Sequence, residues 1–169
     1  MSLPLAPTTD WQTGPTDGAA PDVACRRCTS HPAWFAPGDP DARPAVTSPE
    51  SAAAVLVPLL AGADRERCVA ALLDTKHRLL DTAVVSIGSI DHTFMSPREV
   101  YRDALVANAT AVVLAHNHPS GDPAPSTDDH AVTRRLAAAG QLVGVELLDH
   151  LVVAGERWTS LARRGALGA

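Results

Sequence analysis

AHNHPSGDPAPSTDD, residues 115–129, combines metal-binding side chains with a loop rich in proline and glycine. The apolar residues 110–115 that lead into it predict a buried central strand. Ser126 near its far end is a favoured helix cap and predicts a helix that ends at Gly140. The stretch therefore joins the carboxyl end of a strand to a helix, a place where open α/β sheets commonly carry their sites.

Two histidines and one aspartate of this stretch predict a single catalytic zinc ion. His116 and His118 are two residues apart at a strand tip, so both imidazoles point to the same face. Asp129 is the third helical residue after Ser126, and its carboxylate can face back towards the strand tip. Two imidazoles and one carboxylate leave a fourth coordination position open, which is the arrangement of catalytic zinc sites. Residues 126–129 also fit a variant of the capping box, which needs no metal.

From Ser48 onwards, helical and strand-like segments alternate along the chain. Helix starts are present at Ser48 and at Ser96, the second with a capping box to Glu99. We expect strands at residues 67–73, 79–87, 110–115, 142–148 and 151–154, and a short helix at 160–164. This order favours an α/β fold, with a mixed sheet and helices packed against its faces.

Residues 1–47 differ in composition from the rest of the chain. Eight of the fourteen prolines lie before residue 45, without apolar periodicity, which predicts a largely disordered tail ahead of one domain at 48–169. Cys25 and Cys28 lie in this tail, and Cys68 lies in a predicted strand. Two close thiols can bind zinc, but a closed structural site usually takes four ligands, and the chain lacks a second pair.

Composition limits the expected partners and location. The net charge of −5 argues against strong sequence-independent binding to nucleic acid. No apolar run approaches about 18 residues, so we expect no membrane span, and the N-terminus has no signal-peptide pattern. The three cysteines, an odd number, argue against a disulfide-stapled secreted domain and favour a cytoplasmic protein.

The motif residues and their neighbours resemble a known family. His116-x-His118, seven residues, Ser126, two residues and Asp129 resemble the JAMM zinc-hydrolase signature of the JAB/MPN domain superfamily. Blocks that resemble its RadC-like branch follow one another in the same order: LDTKHR at 73–78, SPREV at 96–100, the segment 115–126 and LDH at 148–150. The resemblance covers about residues 48–165.

This resemblance implies a fold, an activity and a ligand set. The fold is a three-layer α/β/α mixed sheet like that of cytidine deaminases. The activity is that of a zinc metallopeptidase, often directed at isopeptide bonds, so the expected partner is a peptide or protein substrate. His116, His118 and Asp129 would hold one Zn²⁺ per chain, whereas the spacing of Asp128 departs from the signature.

Two further residues take roles from the resemblance. Ser126 would bind the developing oxyanion or hold the attacking water. Glu66, ahead of the strand at 67–73, matches the general base by position. Read without the family, Glu66 is a charged residue beside arginines at the start of a strand, where most such charges are solvated.

Asp149 and His150 lie between two predicted strands and leave two interpretations open. Either could orient a zinc-bound imidazole from behind, or the pair could cap a turn between strands.

Other functions remain as alternatives to a peptidase. One is a RadC-type accessory protein in DNA repair or recombination with a non-catalytic metal site. RadC-like proteins commonly carry a helix-hairpin-helix region, and residues 1–47 show no such motif, so the sequence looks like a minimal version. Another is a deaminase-like activity on a small molecule, but the Cys-x-x-Cys pair of zinc deaminases does not follow the histidines.

Overall fold

Five strands form a mixed sheet whose centre is built from the most apolar stretches of the chain. A computed structural model describes residues 42–88 and 95–167. The strands are β1 (Arg67–Leu73), β2 (Leu79–Ile87), β3 (Ala111–Asn117), β4 (Glu146–Ala154) and β5 (Arg157–Ser160). Their spatial order is β2-β1-β3-β4-β5. The β3–β4 pair is parallel and the other three pairs are antiparallel.

Helices cover both faces of this sheet. They are α1 (Pro49–Leu60), α2 (Pro97–Val106) and α3 (Thr127–Val143). Because side chains alternate along a strand, Ala71 and Val113 pack in one apolar cluster with Leu56 of α1. Leu114 packs in the opposite cluster with Leu136 of α3. The α/β fold with helices on both faces of a mixed sheet, in three layers, is confirmed.

Local signals give the elements of the N-terminal half correctly. β1 and β2 have the predicted bounds, and α1 begins after Ser48, whose side chain forms a reciprocal capping box with Ser51. At α2, the hydroxyl of Ser96 accepts a hydrogen bond from the N–H of Glu99. The second bond of the predicted capping box, from the N–H of Ser96 to the Glu99 side chain, is not among the hydrogen bonds of the described residues. The Glu99 carboxylate instead accepts from Arg102, one turn further along the helix.

The predicted end of α3 at Gly140 is wrong. The helix continues to Val143 and ends at Gly144, which adopts the left-handed conformation at φ 74°. Inside the helix, Gly140 is required because a side chain at this position has no space. A Cβ at that position would overlap the carbonyl oxygen of Val145 and lie 2.5 Å from the hydroxyl of Tyr101.

The last predicted strands and the terminal helix also differ from the structure. The two strands predicted at 142–148 and 151–154 are one strand, β4, which begins only at Glu146, so Asp149 and His150 lie inside a strand. Leu142 and Val143, the start of the first predicted strand, belong to α3. β4 shifts register against β3 between the pairs Val112–Leu147 and Val113–Asp149, so that Leu148 is an extra residue. β5 was not predicted, and residues 161–167 form turns instead of a helix.

Residues just ahead of Ser48 contact the start of β2. The N–H of Val46 donates to His77, the carbonyl of Pro44 accepts from Leu79, and the Val46 side chain is buried. The predicted tail falls for the most part on residues 1–41, which lie outside the described residues, as do Cys25 and Cys28. In the part of the chain that is described, no helix has the length and apolar character needed to cross a membrane.

The close packing at Gly140 generates a stability prediction. Gly140→Ala should lower the free energy of unfolding by about 1–3 kcal/mol, because the added methyl group has no space. At a helix position without this crowding, the same change would stabilise the helix by about 1 kcal/mol. Urea unfolding of Gly140→Ala measures the difference, with Gln141→Ala on the exposed neighbouring position as the control. A more stable Gly140→Ala variant would show that this contact is not tight.

Candidate metal centre

The structure brings His116, His118 and Asp129 together at the carboxyl end of β3. One ligand atom from each lies within 4.8 Å of the others. Nε2 of His116 is 3.0 Å from Nε2 of His118 and 3.1 Å from Oδ1 of Asp129. Nε2 of His118 is 3.5 Å from Oδ2 of Asp129. Two imidazole nitrogens and the two oxygens of one carboxylate therefore converge on one point.

Asp129 is held by the cap of the helix on which it lies. The N–H and the hydroxyl of Ser126 both donate to Oδ2 of Asp129, at 2.7 Å each, and the Asp129 N–H donates back to the Ser126 hydroxyl oxygen. This reciprocal capping box leaves Oδ1 to face His116. The capping box and the predicted metal ligand are thus the same arrangement of atoms, not alternatives.

The loop after β3 sets the orientation of the His118 ring. Nδ1 of His118 is 2.9 Å from the carbonyl oxygen of Asp122. A carbonyl oxygen only accepts, so Nδ1 carries a proton and Nε2 is the ring nitrogen that faces the centre. Arg157 donates to the carbonyl of Gly121, which ties the loop to β5. Gly121 has φ 83°, a conformation that a residue with a Cβ rarely adopts.

The electrostatics of the site follow from this convergence. The hydrogen bond with Asp129 raises the pKa of His118 against the opposing effect of burial, and the charges of Asp129 and Glu66 add to the rise. Burial would raise the pKa of Asp129, but the hydrogen bonds with His116 and His118 outweigh it and hold that pKa well below its usual range. The carboxylate is therefore ionised at neutral pH, the form in which it binds a cation.

The donor set fits Zn²⁺. Zinc takes imidazole nitrogen and carboxylate oxygen at about 2.0–2.2 Å in a tetrahedron, whose ligand atoms are then about 3.3 Å apart. The 3.0 Å between the two Nε2 atoms and the 3.1 Å from Nε2 of His116 to Oδ1 of Asp129 are close to that value, and the other carboxylate oxygen lies 3.5 Å from Nε2 of His118. Cys68, the closest soft ligand along β1, is buried in the apolar cluster, and burial raises its thiol pKa to about 12. His116, His118 and Asp129 are thus the residues that could hold the metal.

Glu66 lies at the same end of the sheet, one residue ahead of β1. Its charge contributes to the raised pKa of His118, and its side chain is partly buried. The side chain of Asn117 holds the backbone on both sides of Glu66. Its Oδ1 accepts the N–H of Arg67 at 2.8 Å, and its Nδ2 donates to the carbonyl of Arg65 at 3.1 Å. The Glu66 carbonyl accepts from the N–H of Gly88.

Asp149 and His150, predicted as a pair, have separate roles in the structure. The Asp149 carboxylate accepts from the N–H of His150, the hydroxyl of Ser160 and the N–H of Ala162, so it ties β4 to the chain around β5. The His150 ring lies on the opposite face of the sheet, and its Nε2 is 2.8 Å from Nδ1 of His116. Of the two, His150 contacts a ligand ring.

Sequence reasoning missed Thr133, which is fully buried next to His150. Its hydroxyl is 2.7 Å from Nδ1 of His150 and donates to the carbonyl of Asp129 at 2.6 Å. Thr133 is four residues after Asp129, so it lies on the same face of α3. That spacing is the signal that could have identified it.

Comparison with known proteins agrees with the motif and its surroundings. A family model described as a RadC-like JAB domain matches residues 46–166. A UPF0758 protein of Desulfitobacterium hafniense is 41% identical over 129 residues, which cover 76% of this chain and 57% of the relative. UPF0758 proteins of Moorella thermoacetica and Methanosarcina acetivorans are 43% and 39% identical over 125 and 120 residues, covering 74% and 71% of this chain and 55% and 52% of the relatives. The chain spans just over half the length of these curated relatives.

The geometry predicts one Zn²⁺ per chain, bound through Asp129 and not through its neighbour. Asp129→Asn should weaken zinc binding by more than about 100-fold, since loss of a ligand costs more than the 10- to 100-fold lost with an outer partner. Asp128→Asn is the matched control, because Asp128 is exposed in the same helical turn, and should bind zinc like the unchanged chain. Metal content and competition with a zinc-binding dye measure both. Equal zinc affinity of the two variants would rule out this ligand assignment.

Proposed function

Because the chain belongs to the RadC-like JAB domain family, we propose that it is a zinc-dependent hydrolase of peptide or isopeptide bonds. The observation that carries the proposal is the convergence of His116, His118 and Asp129 on one point, with three protein ligands and no fourth among the described residues. Three ligands and an open position are the pattern of catalytic zinc, whereas structural zinc is held by four. The JAMM signature in the sequence supports the peptidase chemistry.

The bound metal would supply two things: a water whose pKa is lowered to about 7, and polarisation of the scissile carbonyl. The protein contributes the ligand geometry. The Ser126 cap fixes Asp129, and the Asp122 carbonyl fixes the ring of His118. Ligands held in this way lose little conformational entropy when they bind the metal.

Glu66 is the proposed general base. It is a carboxylate at the same sheet edge as the ligands, and its charge acts on His118. In this role, Glu66 accepts a proton from the attacking water and passes it to the leaving amine. A carboxylate that performs both transfers must stay within reach of the attacking and the leaving atom.

Asn117 is the proposed means of keeping Glu66 in place. Its amide holds the carbonyl of Arg65 and the N–H of Arg67, so the backbone of Glu66 is fixed from both sides. Asn117 is itself buried at the end of β3, between the two histidine ligands. In this proposal, residues 116–118 at the end of β3 supply two of the ligands and hold the backbone of the base.

Ser126 has one role in the structure and a second in the proposal. Its hydroxyl donates to Asp129, which orients the ligand. The oxyanion role implied by the resemblance requires this hydroxyl to turn from Asp129 towards the substrate.

Removal of the proposed base should separate catalysis from metal binding. Glu66→Gln should lower cleavage of a library of peptides and Lys-ε-amide isopeptides by about 10²-fold or more, since general base catalysis contributes about 10²–10⁴-fold. Zinc content and thermal unfolding should be unchanged, because Glu66 is not a ligand. Cleavage is followed by mass spectrometry.

Glu146→Gln is the control for this experiment. Glu146 is exposed and pairs with Ala111, at the opposite end of β3 from His116, so cleavage should be unaffected. Stoichiometric zinc without any Glu66-dependent cleavage would contradict the peptidase proposal and favour the accessory role in DNA repair.

The clamp on the Glu66 backbone generates a second kinetic prediction. Asn117→Ala should lower kcat by about 10- to 100-fold with little change in KM, because a displacement of about 1 Å in a catalytic group can cost about 10²-fold. The Asn117→Ala, Glu66→Gln double variant should be no slower than Glu66→Gln alone, because Asn117 acts through Glu66. Zinc content is measured in parallel. Additive losses in the double variant would mean that Asn117 acts by another route.

A further inference from the structure

A buried line of hydrogen bonds joins the ring of one metal ligand to the backbone of another. Nδ1 of His116 is 2.8 Å from Nε2 of His150, and Nδ1 of His150 is 2.7 Å from the hydroxyl of Thr133. The Thr133 hydroxyl is 2.6 Å from the carbonyl oxygen of Asp129. Three of these four residues are at most 1% exposed, and Asp129 is 6% exposed.

The position of each proton in this line of hydrogen bonds follows from the last acceptor, the carbonyl oxygen of Asp129. The Asp129 carbonyl only accepts, so the Thr133 hydroxyl donates to it. The same hydroxyl has one proton, so it accepts from His150, whose Nδ1 must carry a hydrogen. His150 is fully buried, and no carboxylate is among the hydrogen bonds of its ring in the described residues, so a charge on its ring would have no partner. A neutral ring with its proton on Nδ1 has a lone pair on Nε2. Nε2 of His150 then accepts from Nδ1–H of His116.

We infer that Thr133 and His150 are positioning residues that hold His116 in the tautomer with its proton on Nδ1, which leaves Nε2 for the metal. The inference rests on the metal site of the proposed function. His118 does not need positioning residues of this kind, since the backbone carbonyl of Asp122 sets its tautomer directly. Among the hydrogen bonds of the described residues, Nδ1 of His116 has no backbone acceptor. The side chains of His150 and Thr133 fix its tautomer instead.

The register shift in β4 delivers His150 to this position. With strict alternation from Leu147, which packs in the cluster beneath α2 and α3, His150 would point to the opposite face. The extra residue at Leu148 reverses the alternation, so Leu147 and His150 share a face. A bulge that re-aims a side chain in this way is common next to active sites.

The inferred role of Thr133 predicts that removal of its hydroxyl weakens zinc binding. Without an acceptor at Nδ1, His150 can carry its proton on Nε2 and donate to His116. The proton of His116 then lies on Nε2, where it blocks the metal. The expected result for Thr133→Val is a loss of zinc affinity of about 10- to 100-fold, the range for loss of an outer-shell partner.

Thr133→Val and Thr133→Ser form the matched pair that tests this. Valine keeps the shape of threonine without the hydroxyl, and serine keeps the hydroxyl without the methyl group. Thr133→Ser should bind zinc within a few-fold of the unchanged chain even if it is less stable. Zinc affinity is measured by competition with a chelating dye, and stability by thermal unfolding of the metal-free proteins.

Tyr101→Phe controls for a general loosening of α3. The Tyr101 hydroxyl donates to the carbonyl of Leu136 at 2.7 Å, three residues from Thr133, and takes no part in the line. This variant should lose stability and keep its zinc affinity. If zinc affinity followed stability across all three variants, Thr133 would have a structural role only and the inference would fail.

Imidazole ¹⁵N NMR provides the direct readout, with and without metal. His116 should show a protonated Nδ1 in the unchanged chain in both states, and should lose that signature in Thr133→Val. An Nδ1 without a proton in the metal-free chain, or coordination through Nδ1, would overturn the inference. If the unsubstituted chain binds no zinc, the proposed function is wrong. The ¹⁵N NMR spectrum of the metal-free chain still tests the tautomer of His116.

Discussion

The burial of His116 is the constraint on which the rest of the site depends. His116 is the second-to-last residue of a strand that is buried along its whole length, and it is 1% exposed. A buried polar ring without partners costs several kcal/mol, on the order of 2–7, so both ring nitrogens need partners from the protein or from a bound ion. Nδ1 is satisfied by His150. Nε2 faces another imidazole and a carboxylate, and a cation satisfies all three at once.

Folding and ligand placement use the same atoms at the start of α3. The bonds between Ser126 and Asp129 satisfy the first N–H groups of the helix, as a cap must. They also occupy Oδ2 and leave Oδ1 directed at Nε2 of His116, where the proposed metal would bind. The helix then carries Thr133 one turn further on the same face. The site is therefore part of the framework of the domain and not a loop added to it.

The sequence predicts those features whose cause is local. Alternation, capping residues and ligand type within short windows predict the bounds of β1 and β2, the cap of α1 and the grouping of His116, His118 and Asp129. The end of α3 could not be predicted, because the space that requires Gly140 is created by Tyr101 on another helix. The single strand β4 was missed because its irregularity at Leu148 depends on pairing with β3. Glu66 was named only through the resemblance, since no local pattern distinguishes it from a solvated charge.

The register between β1 and β3 connects the two halves of the proposed chemistry. The last pair of this ladder joins Cys68 to His116, and beyond it the amide of Asn117 continues the contact with the backbone of Arg67. A slip by one residue would turn every side chain of β1 to the other face. The bonds of Asn117 oppose such a slip at the end where it would move Glu66. Because Asn117 lies between the two histidines, the register that places them at the end of β3 also places the backbone of the proposed base.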